Sequence, residues 1–306
     1  MRNIILLVIA VVSIGLQSCE LSPREIELAA HDSKLAITAM LSPGDTTANI
    51  LFNVSIGILD TLEKYEGGFL ENQKLTLHTP DAGPVNGYIS KDIDDYKEWE
   101  TSRKYRIWKF DYNDFKVGAT YELEASADNY QPITAKTTVP STPNVIDVKI
   151  TAREPVNGQY FVRDKFDIVI KDDPDERNFY KINAIPISLT EFPYLNPYIF
   201  YRNANDPIDL SALDERIIVI SDDEFNGQEY TIVLYGEIRG QRDNYRQIDF
   251  SLVSITEQEY RREIALERSG DDNPFAEPVI YNSNIENGYG VFSISSPPYR
   301  EAVDLE

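Results

Sequence analysis

NILFNVSIGIL, residues 49–59, decides the fold class. Ile50, Phe52, Val54, Ile56 and Ile58 occupy alternate positions. A period of two is that of a strand with one face on a core, because successive side chains point to opposite sides. Upstream, KLAITAML (34–41) alternates in the same way, and SPGD (42–45) marks a turn. Downstream, QKLTLHT (73–79) offers Leu75 and Leu77. RKYRIWKFDY (103–112) sets Tyr105, Ile107 and Lys109 on one face and Trp108, Phe110 and Tyr112 on the other. TYELEAS (120–126) and PITAKTTV (132–139) extend the set. Several short strands with regular turn signals need two sheets, so that each buries one face. The expectation is an all-β protein whose first domain, 34–140, is an immunoglobulin-like β-sandwich. SKDIDDYKEWETSRK (90–104) is charged and reads as a surface loop or short helix.

PSTPN (140–144) is a short, stiff linker. Strands resume with VIDVKITA (145–152), DKFDIVIKD (164–172), NFYKINAIPISL (178–189), RIIVIS (216–221), EYTIVLYGEI (229–238) and YRQIDFSLVSI (245–255). The second domain, 141–306, is therefore also mainly β. It carries one helix, predicted over 257–269. Thr256 and Glu259 have the spacing of a capping box, in which each side chain bonds a free backbone amide. Tyr260 and Ile264 fall one turn apart, and Gly270 suits the stop, so a surface helix on a sheet is expected.

The chain opens MRNIILLVIAVVSIGLQSC. Arg2, the apolar run Ile4–Leu16 and the polar exit before Cys19 have the layout of a signal peptide, residues 1–18. The run is shorter than the roughly 20 apolar residues of a membrane span. Leu16 and Ser18 before Cys19 resemble a bacterial lipobox, although Gln17 departs from its usual small or β-branched residue. Cys19 is thus the expected lipidation site, and residues 19–33 a tether. Acyl chains contribute about 0.8 kcal/mol per buried CH₂, so several of them hold a protein on a bilayer.

The whole chain has 51 acidic and 29 basic residues, a net charge of −22. An acidic surface lacks the Lys and Arg that neutralise phosphate, which argues against nucleic acid as a partner and against lying flat on anionic lipid. One cysteine allows no internal disulfide. Nineteen Tyr and thirteen Phe therefore carry much of the packing.

Catalytic patterns are missing from the sequence. Its two histidines, His31 and His78, belong to no nucleophile elbow or zinc-binding helix. No glycine-rich phosphate loop is visible, and no cofactor is expected. The acidic groups Asp92/Asp94/Asp95, Asp172/Asp173/Asp175/Glu176 and Asp222/Asp223/Glu224 match no complete calcium-loop spacing, and they read as solvated turns. EFPYLNPYIFYRN (191–203) is the candidate ligand-binding segment, through Phe192, Tyr194, Tyr198, Phe200 and Tyr201. Its prolines argue against a central strand. Aromatic residues on a loop supply contact area at modest entropic cost; the competing reading puts these rings in the core.

DDNPFAEPVIYNSNIENGYGVFSISS (271–296) resembles the C-terminal hallmark of a Bacteroidota lipoprotein family known as domain of unknown function 4249. The resemblance rests on Asn273, Pro274, Phe275, Glu277, Pro278, Asn284, Ile285, Gly288 and Gly290. SLVSITEQEYRREI, SDDEFNGQEYTI and YELEASADNYQPITAKTTVPSTPNV resemble other parts of the same family. The resemblance implies a lipoprotein of the outer membrane, working beside a TonB-dependent receptor, and implies no catalytic residue. Glu20 is followed by Leu21, Ser22 and Pro23, which departs from the acidic stretch linked to surface export, so the face of the membrane stays open. In physical terms Gly288 and Gly290 mark positions where the backbone needs freedom. The expected function is that of a non-enzymatic accessory or ligand-presenting partner of such a receptor. The alternatives are a glycan- or peptide-binding module acting alone, and a hydrolase working through paired carboxylates.

Overall fold

Alternation along the chain becomes burial in a computed structural model, which describes residues 32–46, 48–55, 70–95, 103–156, 161–188, 198–201, 212–214, 217–239, 245–270 and 283–305. Strand β1 (Leu35–Leu41) buries Leu35, Ile37, Ala39 and Leu41, and β2 (Ile50–Val54) buries Ile50 and Phe52. Residues 56–59 of the opening stretch lie outside the described residues. The chain continues through β3 (Lys74–Thr79), β4 (Gly83–Asn86), β5 (Tyr88–Asp95), β6 (Arg103–Lys109), β7 (Thr120–Ser126) and β8 (Ile133–Thr138).

One sheet contains the order β1-β2-β6-β5 and the other β8-β7-β3-β4. In immunoglobulin lettering these are A-B-E-D and G-F-C-C′, the expected fold. Tyr121, near the start of β7, is fully buried, and its hydroxyl accepts the backbone amide of Lys116 at 2.9 Å. This is the tyrosine corner of such folds. Its ring sits edge-on to Phe115 at 5.2 Å. Phe52, Trp108 and Phe292 join the same core, as the aromatic count requires.

One expectation for this region changes. Of the charged stretch 90–104, residues 90–95 belong to β5 and 103–104 to β6 rather than to a loop or helix, and 96–102 lie outside the described residues. β5 is an edge strand, and edges tolerate the charge that central strands exclude. β4, which was not foreseen, also lies at an edge, where Pro84 costs no ladder bond.

After the 140–144 stretch come β9 (Val145–Val156), β10 (Phe161–Lys171), β11 (Phe179–Ser188), β12 (Tyr198–Tyr201), β13 (Ala212–Asp214), β14 (Ile217–Ser221), β15 (Glu229–Arg239) and β16 (Tyr245–Ile255). These, with β19 (Tyr299–Asp304), form the sheets β12-β15-β10-β9 and β13-β14-β11-β16-β19. Phe166, Ile168, Ile232 and Leu234 of the first face Ile182, Ile220, Phe250 and Leu252 of the second across one core. Strand for strand, β9-β10-β15 and β14-β11-β16-β19 repeat the A-B-E and C′-C-F-G orders of the first sandwich.

The last strand of this second sandwich is late. Between β16 and β19 the chain forms helix α1 (Glu257–Gly270) and the strands β17 (Ile285–Glu286) and β18 (Tyr289–Ile294). β18 runs parallel to β1 through six register pairs, Ala36–Tyr289 to Leu41–Ile294, while β17 pairs with β8. The family-like segment around 284–294, which the sequence places with the second domain, is thus built into the first sandwich and closes its open side. Its apolar residues decide this: Val291, Phe292 and Ile294 are fully buried. Burying each such side chain stabilises by about 1.5–3 kcal/mol. Residues Ser33–Glu306 form one compact unit.

Glycine makes the close approach possible. Gly290 has φ +114°, and a Cβ there would lie 1.8 Å from the Ile37 carbonyl oxygen. At Gly288 the reason is space alone, since a Cβ would lie 2.6 Å from the Leu35 carbonyl oxygen. The Asn284 side chain ties the pieces. Its amide nitrogen donates to the Phe292 carbonyl at 2.7 Å and the Lys136 carbonyl at 3.2 Å, and its oxygen accepts the Phe292 amide at 3.0 Å.

Candidate functional site

Where the first sandwich meets the outer face of the second, there is a cleft of about 610 Å³. One wall is the end of β1 and the Ser42–Pro43–Gly44–Asp45 turn. That turn is fixed on both sides. Gly44 donates its amide to the Asn113 carbonyl at 2.8 Å, Ser295 donates its amide to the Leu41 carbonyl at 2.9 Å, and the Ser42 and Ser295 hydroxyls are 2.7 Å apart.

The floor comes from the outward positions of β11, β16 and β19. Asn183 faces Ser251 in register, and Ser251 faces Arg300. Alternation dictates this, because Ile182, Ala184, Phe250 and Leu252 turn inward to the core. The side chains of Asn183, Ser251 and Arg300 make no hydrogen bond or ion pair among the described residues. They form a row of donors and acceptors, one from each strand, open to the cleft.

Helix α1 supplies the end wall. Tyr260 and Ile264 pack on Phe179, Val219 and Ile255, the surface-helix packing that the sequence led us to expect. The Phe179 and Tyr260 rings are 4.9 Å apart. The cap differs in one respect. Thr256 Oγ1 accepts the Glu259 amide at 3.3 Å, but the buried Glu259 carboxylate turns away from the cap. Its Oε2 accepts the Ser293 hydroxyl at 2.6 Å, and its Oε1 accepts Lys181 Nζ at 3.1 Å. Lys181 also donates to Glu263 at 3.2 Å. Burial acts to lower the Lys181 pKa, but the two glutamates outweigh it and the net direction is up. The ammonium is therefore held charged between two buried carboxylates. The triad joins β11 to α1, and through Ser293 to β18, so it positions the cleft walls and leaves neither glutamate as a free acid.

A second polar centre lies near 172 and 222. The two acidic turns come together, and Asp172 and Asp222 are buried rather than solvated. Asp172 accepts the Tyr180 hydroxyl and, at 2.8 Å, the Gly227 amide. Asp222 accepts the Asn178 amide at 2.6 Å, and its other oxygen, Oδ1, is buried without a hydrogen-bond partner. Burial pushes the Asp222 carboxyl above the usual range, whereas Arg177 holds Asp223 below it. These contacts staple turns. Among the described residues no group of three or more His, Cys, Asp or Glu is arranged to hold a metal ion.

The sequence-derived candidates fare unevenly. Cys19, Phe192 and Tyr194 lie outside the described residues, as do Asn273 to Pro278. Tyr198, Phe200 and Tyr201 belong to β12, an edge strand antiparallel to β15, with Tyr198 opposite Ile238 and Phe200 opposite Gly236. An edge is where the neighbouring prolines allow a strand. Asp92, Asp94 and Asp95 lie along β5. The cleft residues Lys181, Asn183, Ser251 and Arg300 were not foreseen. Alternation marks the first three as outward, but no local signal says that the first sandwich roofs that face.

Comparison with curated proteins finds no match. Among solved structures, collagen adhesin from S. aureus is similar at 9% identity and a TM-score of 0.21, over 90% of this chain and 94% of that one. The Fcho1 Mu homology domain of Danio rerio with bound Eps15 peptide gives 9% identity and 0.20, over 89% and 96%. The collagen binding domain of Erysipelothrix rhusiopathiae surface protein RspB gives 8% and 0.17, over 90% and 96%. Scores of this size carry no argument, and the architecture above rests on strand pairing alone. The model of the domain of unknown function DUF4249 matches residues 21–298, so the chain belongs to that family.

Proposed function

We propose that this chain is a lipid-anchored, non-enzymatic protein of the cell envelope that holds a small polar ligand in the junction cleft and works beside a TonB-dependent outer-membrane receptor. The observation that carries the ligand part is the row Asn183, Ser251 and Arg300, whose side chains are unpaired among the described residues, under the Ser42–Asp45 turn. Hydrogen-bonding side chains converging in a concave site are what orient a bound molecule. The guanidinium presents a planar fork of donors that suits carboxylate or vicinal hydroxyl groups. The anchor part is supported by the lipobox-like residues before Cys19, and the receptor part by the family likeness.

Calorimetry with envelope-derived and dietary glycans and peptides tests the cleft. Arg300→Ala and Asn183→Ala are expected to abolish binding while leaving the melting temperature unchanged. Binding that survives both substitutions but fails with Tyr198→Ala would move the site to the aromatic segment. Mass spectrometry of the cell-derived protein tests the anchor at Cys19, and affinity purification from solubilised membranes tests the receptor. An unacylated thiol, or a preparation without any outer-membrane receptor, would remove those parts.

A further inference from the structure

The two sandwiches share a strand order but not a finish. In the first, the side between β1 and β8 is filled, since β18 pairs with β1 and β17 with β8. In the second, the matching side lies between β9 and β19, each the last strand of its sheet. No strand covers it among the described residues. A groove of about 510 Å³ runs there, lined by Val148–Arg153 and Glu301–Asp304.

The first sandwich shows what the difference does to burial. Under β17 and β18, Leu35 and Ile37 of β1 are each 1% exposed, and Ile133 of β8 is also 1% exposed. Along the open groove, Val148, Ile150 and Val303 reach the core yet stay half-buried. Among the described residues β9 also keeps a free edge of backbone donors and acceptors, the template on which a further strand adds.

We propose that this groove takes one extended strand from a partner protein, lying parallel to β9 as β18 lies parallel to β1. Two features narrow its chemistry. Register shifts on β9 beside Ile146 and Thr151 leave Asp147–Ile150 as the uninterrupted edge, so a short strand is enough. On the groove's lip the positive groups are matched: Lys149 pairs with Asp147, and Arg153 with Asp164 at 2.7 Å. Glu301 and Asp304 are exposed and make no ion pair among the described residues, and Arg153 donates to the Leu305 carbonyl at 3.1 Å. The lip is net acidic, so the strand alternates apolar residues with Lys or Arg. This groove is separate from the junction cleft, and the proposal stands whether or not a ligand binds there.

Hydrogen exchange on the full mature chain tests it, with a capped Lys-Val-Lys-Val-Lys-Val peptide as probe and the Glu-Val counterpart as control. The expected result is slowed exchange over 145–156 and 299–305 with the Lys-Val peptide only. Glu301→Lys with Asp304→Lys, both on the surface, should weaken the Lys-Val peptide about tenfold and admit the Glu-Val peptide. Three results would each overturn the proposal: no protection of β9, equal protection by both peptides, or concentration-dependent protection without peptide. The last would mean that the groove pairs with a second copy of this chain.

Discussion

Replacing Gly290 with alanine probes the closure of the first sandwich most directly. The new Cβ would lie 1.8 Å from the Ile37 carbonyl oxygen, whereas nonbonded carbon contacts settle near 3.5 Å. The three nearest atoms are all Ile37 backbone, so no side chain can swing aside and β18 must move off β1. That uncovers Phe292 and Ile294, both now fully buried. On the scale of large-to-small core substitutions the loss is about 3–5 kcal/mol, with a further 1–2 kcal/mol, roughly, for an L residue at φ +114°. Gly44→Ala is the control. It too has positive φ, +76°, but no atom lies within 4 Å of its Cβ position, so only the conformational cost of about 1–2 kcal/mol applies. Urea denaturation of the two variants, with hydrogen exchange at β1 as a local readout, separates the effects. If Gly290→Ala loses no more stability than Gly44→Ala, the close approach is not what fixes β18.

Two other substitutions address buried charge. Lys181→Met leaves Glu259 buried without its cation and Glu263 with Arg262 alone, at 3.5 Å, and should cost about 3–5 kcal/mol at neutral pH, read by thermal or chemical denaturation. The Lys181 pKa is raised above 10.5 in the fold, so its stabilisation is complete below 10.5 and lost as pH climbs through the folded value. That alkaline decline should vanish in the variant; its persistence would refute the role. Asp222 behaves oppositely to a paired carboxylate. Burial raises its pKa above 3.8, so the fold holds this proton more tightly than the unfolded chain, and stability falls as pH rises from 3.8 through the folded value. Asp222→Asn should flatten that stretch of the stability–pH curve, and an unchanged slope would count against the assignment.

Much of the architecture was legible because it follows from period-two patterning. The runs at 34–41, 73–79, 120–126, 229–238 and 245–255 all became strands close to their read limits. The helix was legible through Thr256, Tyr260 and Ile264. What failed was information that no single strand contains. The charged residues of β5 look like a loop unless the strand is known to lie at an edge. Glu259 looks like half of a cap unless Ser293, 34 residues later, is known to be its neighbour. Asp172 and Asp222 look solvated until two turns, 50 positions apart, are folded together. The cleft was hidden for the same reason, since Arg300 belongs to a strand with no apolar alternation to mark it. The glycines at 288 and 290 were legible as structural, though only the fold says that one needs an unusual φ and the other only room.

The late arrival of β18 sets an order of events during synthesis. A ribosome that has released the first 140 residues has delivered eight strands of a sandwich whose flank stays bare until residue 294 emerges. Domain-by-domain maturation from the N-terminus, the usual economy of multidomain chains, is therefore denied to this one. The same 20 residues that end the wait also bring in β19, so both halves reach completion almost together. A product that stops short of residue 283 would lose a seam from each, and would expose β1 and β16 as sticky edges at once.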